Sequence, residues 1–371
     1  MPVTVLYNQL YHQDHFAELT GRPAWELHKW LCAPPEEHLA IYRLMLERAP
    51  FEILQPQCAP DRESREHIEF IEQDGQVIRR DRRTGRCEPL TIHTGHPFQY
   101  RANETQRVLS IRDANEKIII HRAEEIRRNG CHDYIEAAVA AFGRDQFILS
   151  GGVVGTLFSC NDYLGQTNAL RMLIDQPDLV EHLCRKITER NIEIIRALAA
   201  TGGDAIYIDD STATADVISV KHYERFSLPY MQQMTREAHR LGQKVIILYF
   251  GGIADRLDWL AEIGADGLSM ETSMKGYVND IEGICQRIGQ RVTLFGNIDP
   301  IGVLQNGTDE ALEAEICRQA AAGRRARGFI LCTGSPITPG TPLARVQRFI
   351  ETGRKHGIYS PADAGGGGRQ G

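Results

Sequence analysis

Between residues 202 and 334 a short, uninterrupted apolar run recurs, each time ending in polar or functional side chains. The runs are residues 204–210 (DAIYIDD), 244–251 (KVIILYFG), 266–271 (DGLSME), 292–300 (VTLFGNIDP) and 328–334 (GFILCTG). Runs that do not alternate suit strands covered on both faces, as in a parallel sheet. Helical stretches separate them, which makes βαβ units. The helices expected from periodicity are 178–198, 223–241, 255–263, 280–288, 309–322 and 342–356, with Pro229 kinking the second. Residues 144–152 (RDQFILSGG) return to the strand pattern, and residues 157–165 lead out of it.

Upstream the pattern is less regular. Residues 1–48 read as helical, with Trp25 and Trp30 near one face and a second helix starting at Pro34-Pro35 with acids in its first turn. Residues 51–54 (FEIL) suit an early strand whose follow-on, 55–58, can reach a site at its end. Residues 67–72 and 76–81 alternate around Asp74-Gly75, a strong hairpin signal, and a second turn at Thr84-Gly85 leads to 89–92. This is an antiparallel insertion that caps or dimerises the molecule. Helices are expected over 118–128 and 133–142.

The fold expected from these elements is α/β: one (β/α)8 TIM barrel with an N-terminal helical and β-hairpin elaboration. Residues 1–115 would be the elaboration, 116–360 the main barrel, and the glycine-rich 361–371 a disordered tail. The length of 371 residues allows two domains, but barrels of this size are commonly one.

Composition narrows the class without changing the fold. Apolar residues make up 42% and charged residues 25%, which supports a full core. A net charge of -7 gives no reason to expect nucleic acid and repels anionic membranes. No run is long and apolar enough to span a bilayer, and no secretory signal is visible. Nine scattered cysteines without a CxxC pair read as reduced thiols in a cytoplasm.

Several motifs appear in an ordered series: 151–158 (GGVVGTLF), 203–210 followed by 218–230 (ISVKHYERFSLPY), 295–300 (FGNIDP) and 328–342 (GFILCTGSPITPGTP). Over roughly residues 150–357 the chain resembles the uroporphyrinogen decarboxylase superfamily, closest to its cobalamin-linked methyltransferase branch. That branch typically holds zinc through His-x-Cys and a later Cys. The corresponding positions here are Leu248-Tyr249-Phe250 and Ser335, whose aliphatic, aryl and hydroxyl groups cannot replace imidazole and thiolates. The usual zinc site is therefore expected to be absent, and the metal is left unknown. The arginine-bearing N-terminal segment of true uroporphyrinogen decarboxylases has no counterpart either.

In such a barrel the chemistry sits where strands end. Asp209 and Asp210 are adjacent at one such end and, if extended, point to opposite sides. The better placed can bind a cationic substrate or move a proton, or else caps the following turn. Asp210 is expected to be catalytic, with Glu271 and Tyr249. Glu271 can act as base, ligate a metal or pair with Lys275. The Tyr249 phenol can donate to developing negative charge or form a wall. Tyr207, Asp209, Phe250, Lys275, Asn297, Asp299, Cys160 and Cys332 are expected to contact substrate. Cys332 can also be a shifted soft ligand beside Glu271, or simply a small apolar residue. Cys160, Asn161 and Asp162 either line the pocket or form a solvated loop. His93 and His96 lack a third ligand, and the Arg79-Arg80 and Arg82-Arg83 pairs read as a solvated hairpin face.

The resemblance implies an enzyme that moves a methyl group between a small methylated substrate and a corrinoid, or a related carrier, borne by a partner protein. The alternatives are a cofactor-free decarboxylase acting on a small carboxylated or pyrrolic substrate, and a binding protein that kept the pocket. The hairpin invites a homodimer.

Overall fold

The computed structural model describes residues 1–6, 13–90, 108, 110–274 and 276–357. Its strands are β1 (Ile53–Leu54), β2 (Ile68–Gln73), β3 (Gln76–Asp81), β4 (Cys87–Pro89), β5 (Phe147–Val154), β6 (Ala205–Asp209), β7 (Lys244–Tyr249), β8 (Gly267–Met270), β9 (Thr293–Phe295) and β10 (Phe329–Ile330). Seven of them form one curled parallel sheet in the order β1-β5-β6-β7-β8-β9-β10. Each step from β5 onward crosses over through helix, so the recurring apolar runs became the sheet they predicted.

Period-two alternation divides the side chains of this parallel sheet between two cores. Ile206, Ile208, Val245, Ile247, Leu268, Met270 and Leu294 pack under the helices. Ala205, Ile246, Leu248, Phe295 and Cys332 face the concave side with Leu6, Ile53 and Leu149, and Tyr207, Phe250 and Ile330 lean on them.

The first residues do not follow the helical reading. Val3 pairs in parallel with Leu331. Thr4 N donates to Leu331 O at 2.9 Å, Leu331 N to Pro2 O at 2.9 Å, and Glu52 N to Val3 O at 3.3 Å. Residues 2–4 thus run between β10 and the residue before β1. Helices begin afterwards, at Gln13–Thr20, Glu26–Trp30 and Pro35–Arg48.

Two expected helices are interrupted. The 118–128 helix keeps only its second piece, Ala123–Arg128, because Ile118 is extended and the preceding helix, Ile111–Lys117, ends before it. The buried Glu193 carboxylate accepts the Ala123 amide at 2.9 Å, anchoring the start of the second piece. The 223–241 helix breaks at Ser227 into Val220–Phe226 and Leu228–Arg240. Pro229 does not kink it. The ring sits in the first turn of the second piece, where a missing N–H costs nothing.

The hairpin forms as expected. Asp74 and Gly75 both take positive φ, 51° and 73°, as a two-residue turn matching strand twist demands. β2, β3 and β4 make a separate three-stranded antiparallel sheet. Its arginines carry exposed ion pairs: Arg80 with Glu69, Arg83 with Glu63, and Arg79 with Glu88 at 3.7 Å. No helix among the described residues is long and apolar enough to cross a membrane.

Candidate active site

The ends of β6, β7 and β8 lie side by side, and alternation decides what each presents. Ala205 and Tyr207 are concave, so Asp209, two residues on, shares their side. Gly152 on the neighbouring β5 makes room for Tyr207: a Cβ there would lie 2.1 Å from Tyr207 O and 2.6 Å from its ring. On the next strand Ile246, Leu248 and Phe250 are concave. On β8 the outward pair Leu268 and Met270 leaves Gly267, Ser269 and Glu271 on the concave side. Acid, aromatic and acid therefore end three adjacent strands on one face.

The two acids are held differently. Asp209 is half-buried, and its Oδ1 accepts the Ser211 amide at 3.0 Å and the Ser211 hydroxyl. Glu271 is buried, and its Oε2 accepts the Tyr277 hydroxyl. Burial, then the bond to Glu271, pushes the Tyr277 phenol above its ordinary pKa, so it stays a donor. No motif in the sequence gives Tyr277 this role.

Asn279 fixes the loops around this face. Its Nδ2 donates to Gly251 O at 2.9 Å and Glu271 O at 3.0 Å, and its Oδ1 accepts from Ile253 N at 3.3 Å. Asn297 continues the network: its Nδ2 donates to Asn279 O at 2.8 Å, and its Oδ1 accepts from Gln319 at 3.2 Å. Asn297 is thereby spent on tying strand ends together. Asp299 caps the π-helical turn Pro300–Gln305, accepting Ile301 N at 2.9 Å and Gly302 N at 3.0 Å.

Asp210 and Tyr249 lie at strand ends but on the helix side, where Ile206, Ile208, Val245 and Ile247 also point. Asp210 is fully buried. Ser227 Oγ donates to its Oδ2 at 2.6 Å, while Oδ1 has no partner among the described residues. Burial lifts its pKa to about 7, against the lowering by the Ser227 bond. The Tyr249 hydroxyl donates to Ala213 O, and burial raises its pKa. Arg256, buried in the same layer, donates to Ala213 O at 2.6 Å and Ile218 O at 2.7 Å and lies over Tyr223 at 5.3 Å. No motif singles out Arg256, because its role depends on carbonyls from another loop.

The remaining candidates separate. Cys160 sits in the helix Thr156–Leu164, buried under the helices with Sγ 3.9 Å from Cys184 Sγ. Asn161 is buried on the same helix, so this segment is no solvated loop. Cys332 is concave and fully buried, and burial pushes its thiol up to about 12. Lys275, His93 and His96 lie outside the described residues.

For zinc the donors do not fit. Leu248 and Phe250 put hydrocarbon on the concave face, and Ser335 Oγ donates to its neighbour Gly334 O at 2.8 Å. Among the described residues no three His, Cys, Asp or Glu side chains converge as metal ligands.

Comparison with known proteins places this geometry in a lineage. Residues 114–356 match the family model described as uroporphyrinogen decarboxylase (URO-D). Uroporphyrinogen decarboxylase 2, chloroplastic, of Arabidopsis thaliana is 32% identical over 241 residues, 65% of this chain and 58% of that protein. Methylcobamide:CoM methyltransferase MtbA of Methanosarcina mazei is 26% identical over 206 residues, 56% of this chain and 58% of that protein. The matches thus span 58% of each relative's length. A solved methyltransferase from Methanosarcina mazei superposes with TM-score 0.62 at 18% identity, over 95% of this chain and 92% of that one, a likeness of fold. The chain belongs to the uroporphyrinogen decarboxylase family.

Proposed function

We propose that this member of an enzyme family demethylates a small methylated amine, passing the methyl group to a corrinoid or related carrier on a partner protein. The observation that carries this reading is the Asp209–Phe250–Glu271 series on one face of adjacent strands. Two carboxylates flanking an aromatic ring favour a compact cation by charge and by cation–π attraction. Asp209 and Glu271 accept hydrogen bonds from the substrate N–H and hold that proton on nitrogen. Methyl departs without its bonding electron pair, and the same proton remains on the neutral amine product. Tyr277 keeps the Glu271 carboxylate aimed, and Tyr207 and Phe250 exclude water. A corrinoid, when bound, supplies the nucleophile that takes the methyl group. Exposed Val154, at the end of β5, and Val217, Val278 and Ile301, which follow β6, β8 and β9, suit the approach of its carrier.

The proposed barrel is closed. Residues 2–6 act as the eighth strand, which the Val3 pairing to Leu331 and the Glu52 bond to Val3 support.

The test is methyl transfer to cob(I)alamin from a panel of methylated amines, ethers and thiols, followed by the corrinoid spectrum. Turnover with amines supports the reading; no turnover and no spectral change with any substrate overturns it. Decarboxylation is the second reading, favoured by the 32% identity to a decarboxylase, and metal-free release of carbon dioxide would establish it. The concave acids argue against a polyanionic substrate, which they would repel. If Asp209→Asn and Glu271→Gln lower only affinity, the protein is a binder.

A further inference from the structure

We propose that the opposite end of the sheet, where the strands begin, holds a second site for a small amphipathic carboxylate. A cavity of about 510 Å³ opens there, within the usual range for small-molecule sites. Its walls are apolar: Ile53, Phe147, Ile246, Phe295 and Ile330. Phe147, Lys244, Gly267 and Thr293 are the first residues of their strands, whereas Asp209 and Glu271 stand at the far ends. The space depends on Gly267, since a Cβ there would lie 2.9 Å from the Phe295 ring.

The rim charges decide the ligand. Glu52 is satisfied by Val3 N at 2.8 Å and by Arg354 at 2.7 Å. Asp266 is satisfied by Lys244 Nζ at 2.9 Å, His239 Nε2 at 2.8 Å and Val245 N at 3.0 Å. Arg327 also lines the cavity, and its guanidinium has no ion pair or hydrogen bond among the described residues. It is exposed at the mouth of the cavity, so a carboxylate reaches it directly from solvent. The guanidinium fork matches a carboxylate bidentately, and an alkyl or aryl tail fills the apolar walls behind it.

The experiment is calorimetric titration of the full chain with octanoate and with 1-octanol. Octanoate is expected to bind at least tenfold more tightly than the alcohol. Arg327→Gln should remove that preference and leave the alcohol unchanged. Ile330→Trp, which fills the cavity, should weaken both, while Glu271→Gln, at the far end, should alter neither. Arg327→Lys, which keeps the charge but loses the fork, should retain part of the preference. Equal binding of acid and alcohol by the wild type, no octanoate binding, or loss of binding in Glu271→Gln would overturn the proposal. None of these readouts depends on methyl transfer, so the two sites succeed or fail separately.

Discussion

Asp209 and Asp210 are neighbours with opposite surroundings. One faces the concave side, half-buried and bonded to Ser211; the other is sealed beneath the helices with an unsatisfied oxygen. Asp209→Asn and Glu271→Gln are each expected to lower kcat about 100-fold, read in the methyl-transfer assay, with the fold intact by circular dichroism. Asp210→Asn should instead act on stability. The folded pKa of about 7 lies above the unfolded value near 3.8, so folding favours the protonated acid. That contribution is full below the unfolded value and lost as pH rises through about 7. The variant should therefore be more stable than wild type at pH 8, on the order of 2–4 kcal/mol, with the gap closing near pH 4. Urea unfolding at both pH values reads it. That two adjacent acids end a strand was visible in the residue order. Which of them faces the pocket was not, because alternation fixes relative sides and Tyr207 gives no sign of being concave until the sheet curls around it.

Elements were legible where a single force decides them. β6, β7 and β8 declare themselves as continuous apolar runs because helices cover one face and the concave core covers the other. The break at Ser227 was hidden, since periodicity continues across it. What interrupts the helix is local, a backbone at φ -122° and ψ -62° whose side chain reaches Asp210. Residues 2–4 escaped notice for a different reason: three residues are too few to show a period. Asn279 carries the loop geometry, so Asn279→Ala should cost about 2–4 kcal/mol in thermal or urea unfolding and also lower kcat, by freeing carbonyls in a buried place. Gly152→Ala should be severe, because the added methyl meets backbone at Tyr207; little soluble protein is the expected result.

At the scale of the molecule, the first few residues join β10 to the approach of β1, and so link the last strand of the sheet to its first. Deleting residues 2–6 should cost more than about 3 kcal/mol, since it removes ladder bonds and the buried Val3, Val5 and Leu6 together. Differential scanning calorimetry of the truncated chain checks it. The Met1 amine also bonds to Gly357 O, at the end of the helix Leu343–His356. Residue 1 and residue 357 are therefore neighbours in space, although the whole sheet lies between them in sequence. A circular permutant that splices 357 to 1 through a few glycines, and opens the chain at the exposed turn of Asp74 and Gly75, would keep every parallel strand in its place. Order along the polypeptide can thus be rewritten without disturbing order around the sheet.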